Sequence, residues 1–247
     1  MKWLFHVLLC GVLLVLTHCA TAAEAAKPAL PGSIPAAPAA PEKAKPKIHT
    51  AHRTVGLLQT NCYVVWAEGT KAAFIIDPGA DAEDIEKLLK KKGLKPAAIL
   101  LTHAHPDHIC AVGDLAEKFK IPVWLHAADL EMYHSIGKIM PMLKLPEPVK
   151  EIPSVAGLPF TVLETPGHTQ GGVSFYFADI ATVFSGDTLF CGAIGRTDLA
   201  GGNMAALLKS IREKLLTLPA ETKVFPGHMG STTVGEEAKE NPFLQRK

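Results

Sequence analysis

The densest chemistry in the chain is the string Thr102-His103-Ala104-His105-Pro106-Asp107-His108, where three imidazoles and a carboxylate fall within six residues. Imidazole is a borderline-soft ligand and carboxylate a hard one, so a mixed N/O set suits Zn, Fe or Mn better than Cu(I) or Ca. His103 and His105, two apart on an extended segment, can aim at one ion. Asp107 and His108 follow the turn at Pro106 and can aim at another. Four donors cannot complete two sites, so more must come from elsewhere. Three further strings offer them: Thr165-Pro166-Gly167-His168, Ser185-Gly186-Asp187-Thr188 and Phe225-Pro226-Gly227-His228. Each has a glycine directly before the candidate ligand, which lets the backbone turn sharply and approach a metal closely. Taken singly, a histidine after glycine is as readily a turn or cap residue. Four metal-type donors packed behind one apolar run have no comparable structural role.

These strings need elements to hold them. Thr54 to Leu58, Asn61 to Ala67 and Ala72 to Asp77 are short β-rich runs, the pattern of an antiparallel meander. Asp81 to Lys92 carries Ile85, Leu88 and Leu89 on one face, acidic residues at its start and Gly93 just past its end, which predicts a helix. Ala97 to Leu101 is an uninterrupted apolar run, best placed as a buried strand ending at the first histidine string. Gly113 to Phe119 reads as a helix and Pro122 to Leu125 as a strand. Phe160 to Thr165, Gly172 to Phe177, Thr182 to Ser185 and Lys223 to Phe225 read as further strands, and Met204 to Leu216 as an amphipathic helix. Every candidate ligand string follows an apolar strand, so the expectation is that all four converge on one sheet edge. Residues 127–150, with Met132, Tyr133, Met140 and Met142, suit either an apolar lid over the site or ordinary packing. His126 and His134 have no partner string and read as cap or surface residues.

The ends of the chain behave differently. Residues 1–23 have Lys2, an apolar run from Trp3 to Leu16, and Ala20-Thr21-Ala22, the layout of a cleaved secretory signal. A signal anchor, or lipidation at Cys19, competes with cleavage. Residues 24–48 are rich in Ala, Pro and Lys, a composition for a solvated tether, and the folded domain is expected over 49–247. The 247 residues hold 25 Lys+Arg against 24 Asp+Glu. That balance, without a basic stripe, argues against a nucleic-acid binder, and no stable membrane insertion is expected after signal cleavage. Among the five cysteines, only Cys62, Cys110 and Cys191 lie beyond residue 23, an odd set that reads as free thiols rather than a disulfide framework. Cys62, inside a strand, reads as a small buried hydrophobe. The signal leads to the expectation of a periplasmic or secreted protein, with a membrane-anchored one as the alternative.

His-x-His-x-Asp-His at 103–108 followed in order by Gly-His168, Gly-Asp187 and Gly-His228 resembles the metallo-β-lactamase superfamily. Asn61-Cys62-Tyr63, Asp77-Pro78-Gly79, Gly186-Asp187-Thr188-Leu189-Phe190 and Gly195-Arg196-Thr197-Asp198 are similar to its short, single-domain glyoxalase II (hydroxyacylglutathione hydrolase) branch. The resemblance implies an α/β fold, an αββα sandwich of two mixed β-sheets flanked by helices. It implies one metal on His103, His105 and His168, a second on Asp107, His108 and His228, and Asp187 bridging. It further implies two divalent ions, Zn first with Fe or Mn as alternatives, and a bridging hydroxide that attacks a thioester such as S-acyl glutathione, with Asp107 orienting it or taking its proton. Arg196 falls where that branch has a basic residue contacting glutathione; a surface ion pair with Asp198 is the competing role. Only 19 residues follow His228, too few for the C-terminal helical domain of long glyoxalase II enzymes, which weakens the case for glutathione itself. A mononuclear iron persulfide dioxygenase, or a lactonase or β-lactamase on the same scaffold, is the alternative activity.

Overall fold

The computed structural model describes residues 47–245; the signal expected at 1–23 and nearly all of the tether expected at 24–48 lie outside the described residues. The elements in chain order are β1 (Ile48–Val55), β2 (Thr60–Ala67), β3 (Ala72–Ile76), α1 (Ala82–Lys92), β4 (Lys95–Leu100), α2 (Pro106–Ile109), α3 (Val112–Phe119), β5 (Val123–Trp124) and α4 (Leu130–Ile139). The second half continues with β6 (Thr161–Glu164), β7 (Val173–Phe177), β8 (Thr182–Gly186), β9 (Leu189–Phe190), β10 (Ala193–Ile194), α5 (Met204–Ser210), β11 (Lys223–Pro226), β12 (Thr232–Thr233) and α6 (Val234–Glu240).

Alternation along the strands builds the layers. On β2, Tyr63 and Val65 face one way and Cys62 and Val64 the other, because successive side chains of a strand point to opposite faces. Tyr63 and Val65 join Phe74, Ile76 and Leu100 against Phe175, Phe177 and Phe184 of the second sheet. Cys62 and Val64, with Ile75 and Ile99, pack under Ile85 and Leu89 of α1 and Leu115 of α3. On the far side, Val183 and Val224 take Leu207 of α5 with Ile211 and Leu215 just beyond it. The result is helix, sheet, sheet, helix. The first sheet has the order β1-β2-β3-β4-β5 and the second β12-β11-β8-β7-β6, each mixing parallel and antiparallel pairs.

Three sequence expectations shift. The first strand runs from Ile48 to Val55 rather than Thr54 to Leu58, because Gly56 and Gln59 adopt positive φ and close a turn that leaves Leu57 and Leu58 at its tip. The helix expected over Met204 to Leu216 is α-helical to Ser210 and then widens into a π turn, the Leu216 amide donating to the Ile211 carbonyl. Residues 127–150 are not a lid: α4 packs Tyr133 into the core under the first sheet, its hydroxyl donating to the Pro146 carbonyl. Among the described residues no helix is long and apolar enough to cross a membrane.

Candidate metal centre

Strands β6, β8 and β11 run the same way, so their carboxyl ends line up, and β4 of the other sheet ends beside them. The candidate ligands therefore meet at the shared edge of two sheets, not on one sheet edge as expected. Where the glycines stand explains the close approach. Gly167 and Gly186 take positive φ, 138° and 48°, which side chains rarely tolerate. Gly227 has a different reason: a Cβ there would strike Asp187 and the His108 ring.

Three overlapping donor groups result; in one, Asp77, His103 and His108, the Asp77 carboxylate is taken up by hydrogen bonds to Thr102 and His108 Nδ1, which leaves two that share no residue. His103, His105 and His168 form one, and Asp107, His108 and His228 the other, the donor atoms in each lying within 4.8 Å of one another. Asp187 lies between them, with Oδ2 3.4 Å from His168 Nε2 and 3.5 Å from His228 Nε2, and Oδ1 3.4 Å from His108 Nε2.

Four of the five histidines are oriented through Nδ1. His108 Nδ1 lies 3.0 Å from Asp77 Oδ2, His168 Nδ1 2.7 Å from the Arg196 carbonyl, and His228 Nδ1 3.1 Å from the Leu58 carbonyl. The Thr102 hydroxyl donates to Asp77 at 2.6 Å and so accepts from His103 Nδ1 at 3.0 Å. Each such bond places the proton on Nδ1 and leaves the Nε2 lone pair for the site, the arrangement metal-ligating histidines use. His105 instead turns Nδ1 inward, 2.8 Å from His168 Nε2.

The electrostatics split along the same line. Burial pushes His103 well below its ordinary value, helped by neighbouring imidazoles, and holds His105 down at about 4. Burial also opposes the charge on His108 and His228, but Asp187 and Asp77 outweigh it for the first, and Asp107 and Asp187 for the second, so both are raised. Burial likewise disfavours ionised Asp107 and Asp187, yet His228 and His108 hold Asp107 low, and His108 and His228 hold Asp187 low.

Among the described residues, His103 Nε2, His108 Nε2 and Asp187 Oδ1 are buried without a hydrogen-bond partner. Buried polar atoms are seldom left so. Three such atoms facing one another amid an all-N/O donor set fit divalent cations.

Three supporting residues went unassigned by sequence reasoning. Asp77 entered only within a family string, yet it sits in the left-handed region at φ 50° and joins Thr102 to His108. Thr60 donates to Asp107 Oδ2 at 3.0 Å. Asp129, buried at the start of α4, accepts from the Ala104 amide at 3.0 Å, the Thr169 hydroxyl at 2.8 Å and the Gly171 amide at 2.6 Å. It thereby ties the loop of His103 and His105 to that of His168. A lone acidic residue before a helix reads as an ordinary cap, and no spacing signal marks this role.

Arg196 lines the cavity at the site, a space of about 640 Å³, but its guanidinium makes two hydrogen bonds to Asp198, at 2.8 and 2.7 Å. Cys110 also lines the cavity, its thiol pushed up by burial. Cys62 is wholly buried, as expected, and Cys191 is exposed. His126 caps the turn before α4, accepting from Ala128, and His134 pairs with Glu147, both apart from the site.

Comparison with known proteins gives a consistent set of relatives. A family model described as the metallo-β-lactamase superfamily matches residues 55–228. The chain is 45% identical over 202 residues to a probable metallo-hydrolase, YqgX, of Bacillus subtilis, covering 77% of this chain and 94% of that protein. It is 36% identical over 205 residues to the hydroxyacylglutathione hydrolase GloC of Haemophilus influenzae, covering 78% and 96%. Among solved structures, BLEG-1, a B3 metallo-β-lactamase, matches with TM-score 0.74 and 40% identity over 80% of this chain and all of that one. TTHA1623 in a di-iron-bound form matches with TM-score 0.68 and 43% identity over 78% of this chain and all of that one.

Proposed function

The chain belongs to the metallo-β-lactamase superfamily, and from that premise we propose that it is a binuclear metallohydrolase that cleaves a small thioester, S-acyl glutathione or a related compound. The observation that carries this is the pair of three-donor groups with Asp187 between them. His103, His105 and His168 would hold one divalent ion, Asp107, His108 and His228 a second, and Asp187 would serve both. Zinc suits the donors, and the di-iron neighbour gives iron equal standing. Such ions, when bound, lower the pKa of water toward neutrality and polarise a carbonyl oxygen.

The chain's own residues supply position and proton handling. Thr60 donates to Asp107 Oδ2 and His228 and His108 lie beside the same oxygen, which holds in place the carboxylate that would orient the attacking water and take its proton. Water adds its oxygen to the acyl carbon, the C–S bond breaks, and the thiolate leaves without a strong general acid. Asp77, Thr102, and the Arg196 and Leu58 carbonyls keep the imidazoles aimed and spend no reorganisation during reaction. The kinship to GloC supports a thioester over other acyl compounds. A second donor group favours this reading over a one-iron dioxygenase.

Thiol release from S-D-lactoylglutathione and from simple acyl thioesters, measured on protein of known metal content, tests the proposal. Turnover of at least one thioester well above that of nitrocefin and lactones is expected. Absence of thiol release from every thioester, or preference for nitrocefin as the kinship to BLEG-1 would allow, overturns it.

A further inference from the structure

Of the three glutamates on α6, Glu236 and Glu240 face solvent and Glu237 is buried. Its carboxylate is met by three uncharged donors. The Gly192 amide lies 3.1 and 3.0 Å from its two oxygens, the Thr232 hydroxyl 2.8 Å from Oε1, and the Asn241 carboxamide 2.7 Å from Oε2. Taking a carboxylate out of water is costly, and hydrogen bonds of this kind are what offset it. The helix does not need it for its start, since Thr233 and Glu236 already form the capping box. The buried carboxylate is therefore explained by the segments it joins.

Two of those segments lead straight out of the metal centre. Gly192 is in the turn of the β9–β10 hairpin, five residues after Asp187, and Thr232 opens β12, four residues after His228. Asn241, just past α6, also donates to the Ala193 carbonyl at 3.0 Å, so the hairpin turn is held at two successive residues. The hairpin in turn touches the donors. Phe190, opposite Ala193, sets its ring edge-on to that of His228, with centroids 6.2 Å apart. Where the hairpin ends, Gly195 lies so close to Asp187 that a Cβ there would be 1.9 Å from the Asp187 carbonyl oxygen.

We infer that Glu237 is a positioning residue for the second donor group. With Asn241 it fixes the hairpin that follows Asp187 to the segment that follows His228, and so keeps these two side chains at the spacing a second divalent ion requires. Asp129 ties the loops of the three-histidine group, and Glu237 is its counterpart on the other side of the centre. The inference takes from the functional reading only the two donor groups, and nothing about the bond that is cleaved.

Glu237→Gln is isosteric and strains nothing by size. Its oxygen can keep the Gly192 and Thr232 bonds, but its NH2 then meets the Asn241 NH2, so the tie to Asn241 is lost; Glu237→Ala removes all three. Chelator-treated wild type and variants are titrated with zinc by calorimetry, each step being assigned by its disappearance in His103→Ala or in His108→Ala. Groups that orient metal ligands are worth about 10–100-fold in affinity. The second ion should bind about tenfold more weakly in Glu237→Gln, and more weakly still in Glu237→Ala, while the first, which shares only Asp187, changes by about threefold or less. Leu89→Ala, which opens a cavity under α1 away from the hairpin, controls for lost stability: it should lower Tm without separating the two ions. If Glu237→Ala does not fold, Asn241→Ala repeats the test through the other partner. Wild-type affinity for both ions in Glu237→Gln, or equal weakening of both, overturns the inference. A weakened second zinc step with no thioester hydrolysed leaves this inference standing and removes the thioester reading. Thioester hydrolysis with both zinc steps unmoved does the reverse, and a wild type that takes up a single zinc overturns both.

Discussion

Replacing Asp129 by asparagine puts an amide nitrogen into a pocket formed by three donors. Oδ2 accepts from both the Ala104 amide and the Thr169 hydroxyl, and Oδ1 from the Gly171 amide. The best orientation of asparagine keeps its oxygen at the two-bond position and turns its NH2 onto the Gly171 N–H. One buried donor is then left unpaired, which costs about 1–3 kcal/mol, and the two surviving bonds lose their charged acceptor. Relaxation is blocked, since a Cβ at Gly171 would already lie 2.6 Å from the Asp129 nitrogen and 2.8 Å from Oδ1. A total near 2–3 kcal/mol follows for asparagine, and about 3–9 for Asp129→Ala, where all three donors are stranded. For a domain of this size the asparagine variant should melt about 4–12 °C lower. The loss should also appear in metal binding, because Ala104 separates His103 from His105 and Thr169 follows His168. Chelator-treated protein followed by differential scanning calorimetry, then titrated with zinc, reads both effects. The expected result is a lowered melting temperature together with at least tenfold weaker loading of the three-histidine group and little change in the second. A variant with wild-type melting and wild-type loading of both ions would refute the bridging role of Asp129.

Other consequences follow from the same geometry. His103→Ala and Asp107→Ala should each abolish thioester turnover and lower metal content by about one ion per chain, measured by atomic emission; wild-type activity in either sinks the assignment. Metal loading should depend on pH differently at the two groups. His103 and His105 are lowered and already neutral at pH 7, whereas the raised His108 and His228 must lose protons before they can ligate. As pH falls, the second ion should therefore weaken before the first and release more protons on binding. Calorimetry in buffers of different ionisation enthalpy checks this, and equal proton release at both steps contradicts it. Arg196→Ala should change KM for S-D-lactoylglutathione by less than threefold; a tenfold rise would restore Arg196 as a carboxylate anchor.

The chemistry of the centre was legible in residue order. His103, His105, Asp107 and His108 fall within one short loop, and their types alone restrict the metal and the reaction class, because ligand preference is a property of the donor atom and not of the fold. The alternation on β2 and the caps of α1 were legible for a similar reason: period and termini are local. What spacing could not supply was the assembly. His168, Asp187 and His228 lie 60 or more residues beyond the first string, and only the closure of two sheets against one another brings their strand ends to the end of β4. Tertiary contacts also chose the tautomers, since the acceptors of His108, His168 and His228 come from Asp77, Arg196 and Leu58, remote in sequence. The same holds for Asp129, whose three donors lie 25, 40 and 42 residues away, and for Leu57 and Leu58, which positive φ at Gly56 and Gln59 converts from a strand end into the rim of the site. Sequence determined which atoms could bind and react; packing decided which of them meet, because a donor's nature is intramolecular and its partner's position is a property of the whole chain.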